Sequence, residues 1–202
     1  MGNRRMGLAR MEKLLENLKR EIDFTGSDLL IGKKQAATHG AGAISTEIAP
    51  VTYISKVGNE IITTIQVDLT GLKTKSDVGD AIGIDGTDAC HLLQYNSTTH
   101  GVLYKVSMSC IELPTAASNV LLDIDLITQS AADAAYDDDV SGGTAILTAG
   151  GNFALGTTLQ NLVVGAPTTA HYLVMADGAT HTAASTFTAG KFLIKLHGYA
   201  SF

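Results

Sequence analysis

Residues 102–110 alternate with a period of two. Val102, Tyr104, Val106, Met108 and Cys110 fall on one side, and Lys105, Ser107 and Ser109 on the other. A strand with one buried face requires that rhythm. It recurs where Val120, Leu122, Ile124 and Leu126 alternate with Leu121, Asp123 and Asp125, and again over 61–69, where Thr63, Thr64, Gln66 and Asp68 interleave with apolar residues. Shorter candidate strands are Val51–Val57, Ala81–Ile84, His91–Tyr95, Thr144–Leu147, Leu159–Val164, His171–Met175 and Lys191–His197. Turn signals separate them: Gly71, Gly79-Asp80, Asp85-Gly86, Ser141-Gly142-Gly143 and Asp177-Gly178. Many short strands with no internal helix predict a mainly β chain, an antiparallel β-sandwich or jelly-roll-like domain. The strand order stays open, because sandwich, jelly roll and barrel share this pattern.

The first forty residues follow a different rule. Leu8, Met11, Leu15, Leu18 and Ile22 are spaced 3-4-3-4, so they share one stripe of a helix. Arg10, Glu12, Lys13, Glu16, Lys19, Arg20 and Glu21 take the remaining positions, and Thr25-Gly26-Ser27 ends the pattern. A helix of about 15 residues is marginal alone in water, so the stripe needs a surface to bury against. The expected organisation is an N-terminal helical arm and linker over 1–40 and a β-sandwich domain over 41–202. Arg4, Arg5 and Arg10 with Leu8, Met11, Leu15, Leu18 and Ile22 are the expected partner-binding residues, apolar contact supplemented by charge.

Charge is divided along the chain in the same way. The 202 residues hold 14 Lys and Arg against 20 Asp and Glu, a net charge of −6. Residues 1–34 carry 8 basic and 5 acidic side chains, leaving 6 basic and 15 acidic for the rest. That acidity argues against a general nucleic-acid binder. No charged residue occurs from Val140 to Ala176. A long solvated surface without charge invites association, so the tract is expected in the core or in subunit contacts, with a homotrimer as the expected assembly. A hydrophobic fraction of 45% is enough to fill a core. No apolar run spans a membrane, and no secretory signal is expected from a start whose charges recur at Arg10, Glu12 and Lys13.

Catalytic and metal motifs are sparse. The chain has no GxxxxGK[ST], no strand–GxGxxG–helix unit, no HExxH and no GxSxG. Cys90 precedes His91, but neighbours on a strand point to opposite faces, so both Cys90 and Cys110 are expected to be buried thiols. His39, His91, His100, His171, His181 and His197 occur singly, without metal-ligand spacing. Asp133, Asp137, Asp138 and Asp139 crowd one stretch before Gly142-Gly143. Such carboxylates can ligate calcium through hard oxygens, but the EF-hand pattern is not met, and a solvated acidic loop is the expectation. Asn96-Ser97-Thr98 reads as a polar turn. No enzyme activity and no cofactor are expected.

The two ends of the chain carry a resemblance. The opening Met1-Gly2-Asn3-Arg4-Arg5-Met6-Gly7-Leu8-Ala9-Arg10-Met11-Glu12-Lys13-Leu14-Leu15-Glu16 resembles the start of a family of virion structural proteins from tailed bacteriophages of marine bacteria. The closing Thr188-Ala189-Gly190-Lys191-Phe192-Leu193-Ile194-Lys195-Leu196-His197-Gly198-Tyr199-Ala200 is similar to the final strand of some members. The resemblance implies a non-enzymatic structural role in the virion, with capsid or other virion proteins as partners. A decoration or cement protein docking through its arm is the first expectation. A head or tail appendage, fibre or spike, is the second, and a single jelly-roll shell protein the third.

Overall fold

The structure is a computed structural model that describes residues 33–34, 38–45, 48–75, 77–116, 123–163, 170–178 and 184–200. The expected arm helix and its partner-binding residues Arg4, Arg5, Leu8, Arg10, Met11, Leu15, Leu18 and Ile22 lie outside the described residues, as do Val120–Leu122. The chain divides into two compact units, 1–33 and 34–202.

The protein is mainly β, with two antiparallel sheets. Its strands are β1 (Lys33–Lys34), β2 (Val51–Val57), β3 (Glu60–Asp68), β4 (Lys73–Thr74), β5 (His91–Tyr95), β6 (Val102–Ala116), β7 (Ile124–Gln129), β8 (Thr144–Leu147), β9 (Thr158–Leu162), β10 (His171–Asp177) and β11 (Ser185–Tyr199). The large sheet runs β1-β2-β3-β11-β6-β9, with β4 also pairing β11, and the small sheet runs β5-β10-β7-β8. β6 and β11, 15 residues each, form the spine of the large sheet. Ala81–Ile84, expected as a strand, instead contributes isolated bridges, Ala81 to Ala176 and Lys73 to Gly83. One short helix, α1 (Ser97–His100), was not expected; Asn96 caps it by accepting from Thr98 N at 2.8 Å.

One apolar cluster is shared by the two sheets. Ile65 and Val67 of β3, Val106 and Met108 of β6, and Phe192, Ile194 and Leu196 of β11 enter it from the large sheet. Leu93, Tyr95, Leu126, Leu173 and Met175 enter it from the small one. Burying each large side chain stabilises the fold by about 1.5–3 kcal/mol before entropy is counted. A second cluster covers the other face of the small sheet, where Ile127, Val174 and Ala176 meet Ala81, Cys90, Ala134 and Val140. Hence β10 is buried on both faces, and Leu173 through Asp177 run without a break in burial.

The alternation expected for 102–110 holds at Val106, Met108 and Cys110 and inverts before them. Leu103 is buried and Tyr104 exposed. The register explains the inversion: Lys105 faces His197 while Leu103 faces Gly198, so Tyr104 is an extra residue in β6. A bulge of this kind flips the faces of everything before it. Gly198 marks the same spot on β11, since a side chain there would overlap the His100 carbonyl.

The uncharged tract divides between core and surface. Val140, Ile146, Leu147, Phe153 and Leu173–Ala176 are buried, whereas Leu155 and Leu162 are 65% and 70% exposed and β9 is open to solvent along most of its length.

Candidate functional site

The outer face of the large sheet holds the most convergent set of polar groups among the described residues. Antiparallel pairing sets His197 of β11 between Ile62 of β3 and Lys105 of β6, and Tyr199 opposite Glu60. The bulge then turns the Tyr104 ring outward, beside them. Tyr104 donates its hydroxyl to Glu60 Oε1 at 2.7 Å, and His197 Nδ1 lies 3.1 Å from the same oxygen. Ring centroids of Tyr104 stand 6.2 Å from His197, edge-on, and 6.4 Å from Tyr199.

The chemistry of this group follows from its hydrogen bonds. The Tyr104 hydroxyl, and after it His197, hold the Glu60 carboxyl below the usual carboxylate range. Glu60 in turn pushes the Tyr104 phenol above its ordinary value. Both groups therefore move away from neutrality, whereas general acid–base work needs a group poised near it. What the arrangement offers is recognition: aromatic rings with a fixed carboxylate and hydroxyl between them, on an open sheet face. Sequence reasoning missed these residues. Glu60 and His197 are 137 positions apart, and the alternation placed Tyr104 on the wrong face.

The loops around the small sheet carry most of the acid. Asp137 pairs with Lys75. Asp138 accepts from Ala135 N at 2.8 Å, and Asp139 accepts from Ser141 N at 2.8 Å. Asp137, Asp138 and Asp139, three of the four crowded carboxylates, are thus engaged as turn caps and an ion partner. Among the described residues, no group of three or more His, Cys, Asp or Glu is placed to hold a metal ion. Asp137 adopts a φ of 77°, a left-handed conformation that short polar residues tolerate.

The thiols and imidazoles are mostly internal. Cys90 is buried, its thiol pushed up to about 12 chiefly by desolvation. Gly42 and Gly83 make room for it; a Cβ at Gly42 would sit 2.7 Å from Cys90 Sγ, and one at Gly83 would overlap it. Cys110 is buried beside Phe192 in the shared cluster. His91 places Nδ1 3.1 Å from the Ala132 carbonyl oxygen and meets Tyr172 edge-on at 4.8 Å. His100 is buried, 2.9 Å from the Thr63 hydroxyl, and desolvation pushes it down to about 4. His39 and His171 are partly exposed, and His181 lies outside the described residues.

No family model, no curated protein and no solved structure matches this chain. Among the described residues, no helix is long and apolar enough to cross a membrane.

Proposed function

We propose that the protein is a non-enzymatic structural component of a tailed-bacteriophage virion, a β-sandwich with jelly-roll-like character that decorates or cements the capsid. The resemblance at both ends of the chain carries this reading. The architecture supports it: two sheets share one core, both thiols are buried, and the acidic loop caps its own turns. In this reading residues 3–22 form a helical arm that docks on other virion proteins through Leu8, Met11, Leu15, Leu18 and Ile22, with Arg4, Arg5 and Arg10 adding charge. Five such side chains contribute roughly 1.5–3 kcal/mol each before ordering costs.

The test compares particle incorporation of the full chain with that of a chain lacking residues 1–32. The shortened chain should give a folded β protein that no longer joins particles. Retained incorporation would sink the arm's role. The open aromatic face of Tyr104, Tyr199 and Glu60 favours a second reading, an appendage subunit that meets a target through this surface. Copy number per particle separates the two, hundreds for a shell-wide decoration and tens for an appendage.

A further inference from the structure

Among the described residues the two sheets have five outer strands, and four of them are blunted; β4 is two residues long and bridged to Gly83. β1 is two residues long and both are lysine. The segment around Gly40 covers β5, where Gly40 N donates to the His91 carbonyl at 2.8 Å. β8 has four residues, and its Ile146 carbonyl receives the Asn161 side-chain amide at 3.3 Å. Among the described residues, nothing gives β9 any of these protections. Thr158-Leu159-Gln160-Asn161-Leu162 contains no charge and no proline, and it is the last strand in its sheet's order. Soluble proteins ordinarily guard such an edge with charge, proline, brevity or a cover.

The backbone of β9 faces outward at known positions. Cys110 N donates to the Thr157 carbonyl and Val163 N to the Tyr104 carbonyl, each at 2.9 Å. Odd-numbered residues therefore bond to β6. In an antiparallel ladder the even ones, Thr158, Gln160 and Leu162, direct their N–H and C=O groups to the open side.

We propose that this edge pairs with β9 of a second copy of the chain, antiparallel, about a two-fold axis at Gln160. Gln160 then faces Gln160 of the other copy, and Thr158 faces Leu162. These are the residues with outward backbone groups, so each facing pair exchanges both hydrogen bonds. A two-fold makes one strand its own complement, and no partner of different sequence is needed. Charge selects this surface over others. The acidic loops would repel a second copy, whereas no charged residue occurs from Val140 to Ala176. A single five-residue strand pair covers less than the roughly 1,200 Å² of a stable interface, so the contact is weak and forms at high local concentration.

Sedimentation of the full chain over a concentration series tests the pairing. The wild type should show a concentration-dependent dimer. Gln160→Lys and Gln160→Glu each place like charges face to face and should weaken it about five-fold. An equimolar mixture of the two variants should recover dimer, because opposite charges then meet across the axis. Gln160→Pro removes an outward donor without touching the β6 ladder and should abolish association. Thermal melting of each variant confirms the fold, and the charge pair decides the matter if the proline variant unfolds. A monomer at every concentration, a trimer, or a dimer indifferent to all three substitutions overturns the proposal.

Discussion

Thr74 of β4 donates its hydroxyl to Asp177 Oδ1 at the end of β10, joining the large sheet to the small one. The neighbouring Lys75 N donates to Asp177 Oδ2 at 3.0 Å. Asp177 is 2% exposed, and desolvation, with Asp80 adding to it, pushes its carboxyl up to about 7 against the hydrogen bonds from Thr74 and Lys75.

That clasp and His100 should give the fold two opposed responses to pH. The raised Asp177 supports the folded state fully below its ordinary 3.8, and the support is lost as pH rises through about 7. The lowered His100 supports it above the ordinary 6.5, and that support is lost as pH falls through about 4. Between about 4 and 6.5 the two slopes oppose each other. Asp177→Asn should therefore melt progressively lower toward acid, and His100→Gln progressively lower toward neutrality, each by about 3 °C per pH unit. Melting curves across that window check both, with the wild type changing least. Parallel profiles for all three proteins would remove the assigned roles.

Gly83 should be intolerant of even one added carbon. Its Cβ would overlap Cys90 Sγ and lie 3.0 Å from both Cys90 Cβ and the Gly42 carbonyl oxygen. Gly83→Ala should cost ~1–3 kcal/mol by denaturant titration. Adding Cys90→Ala should return part of that, so the double variant is more stable than the sum of the single losses.

Tyr104 should titrate late. Glu60 raises its phenol, so the Tyr104 Cζ resonance should shift at higher pH than an ordinary tyrosine, and Glu60→Gln should bring the transition back down. An unchanged midpoint in that variant would mean the 2.7 Å bond is not held in solution.

The acidic loop should be indifferent to chelator. With Asp137 on Lys75, Asp138 on Ala135 N and Asp139 on Ser141 N, three of its four carboxylates already have partners. Melting with and without chelator should agree within about 1 °C, and a fall reversed by calcium would assign the loop a bound ion.

How far these features were legible depended on the range of the interactions. Val106, Met108 and Cys110, like the closing Phe192, Ile194 and Leu196, read directly as strand because only one face is buried and alternation records it. At Val102-Leu103-Tyr104 three apolar residues run in succession, so nothing local marks the flip. Ala81–Ile84 reads as a strand because it is apolar, but isolated bridges replace a ladder there, with Ala81 in the second cluster and Ile82 and Ile84 on the shared one. The Glu60–Tyr104–His197 group and the Thr74–Asp177 clasp join strands distant in sequence, and only the strand order brings them together. Burial of Cys90 and Cys110 followed from residue type; the two glycines that make room for Cys90 lie 48 and 7 positions away from it.

The long pairing of β6 with β11 also has a mechanical consequence. β11 is laddered to β6 on one side and to β3 and β4 on the other. A force drawn along β11 loads these ladders in shear, so the bonds on both flanks share the strain instead of opening one after another. A pull across the strands would instead open those bonds one at a time, so the same ladders resist the two directions unequally.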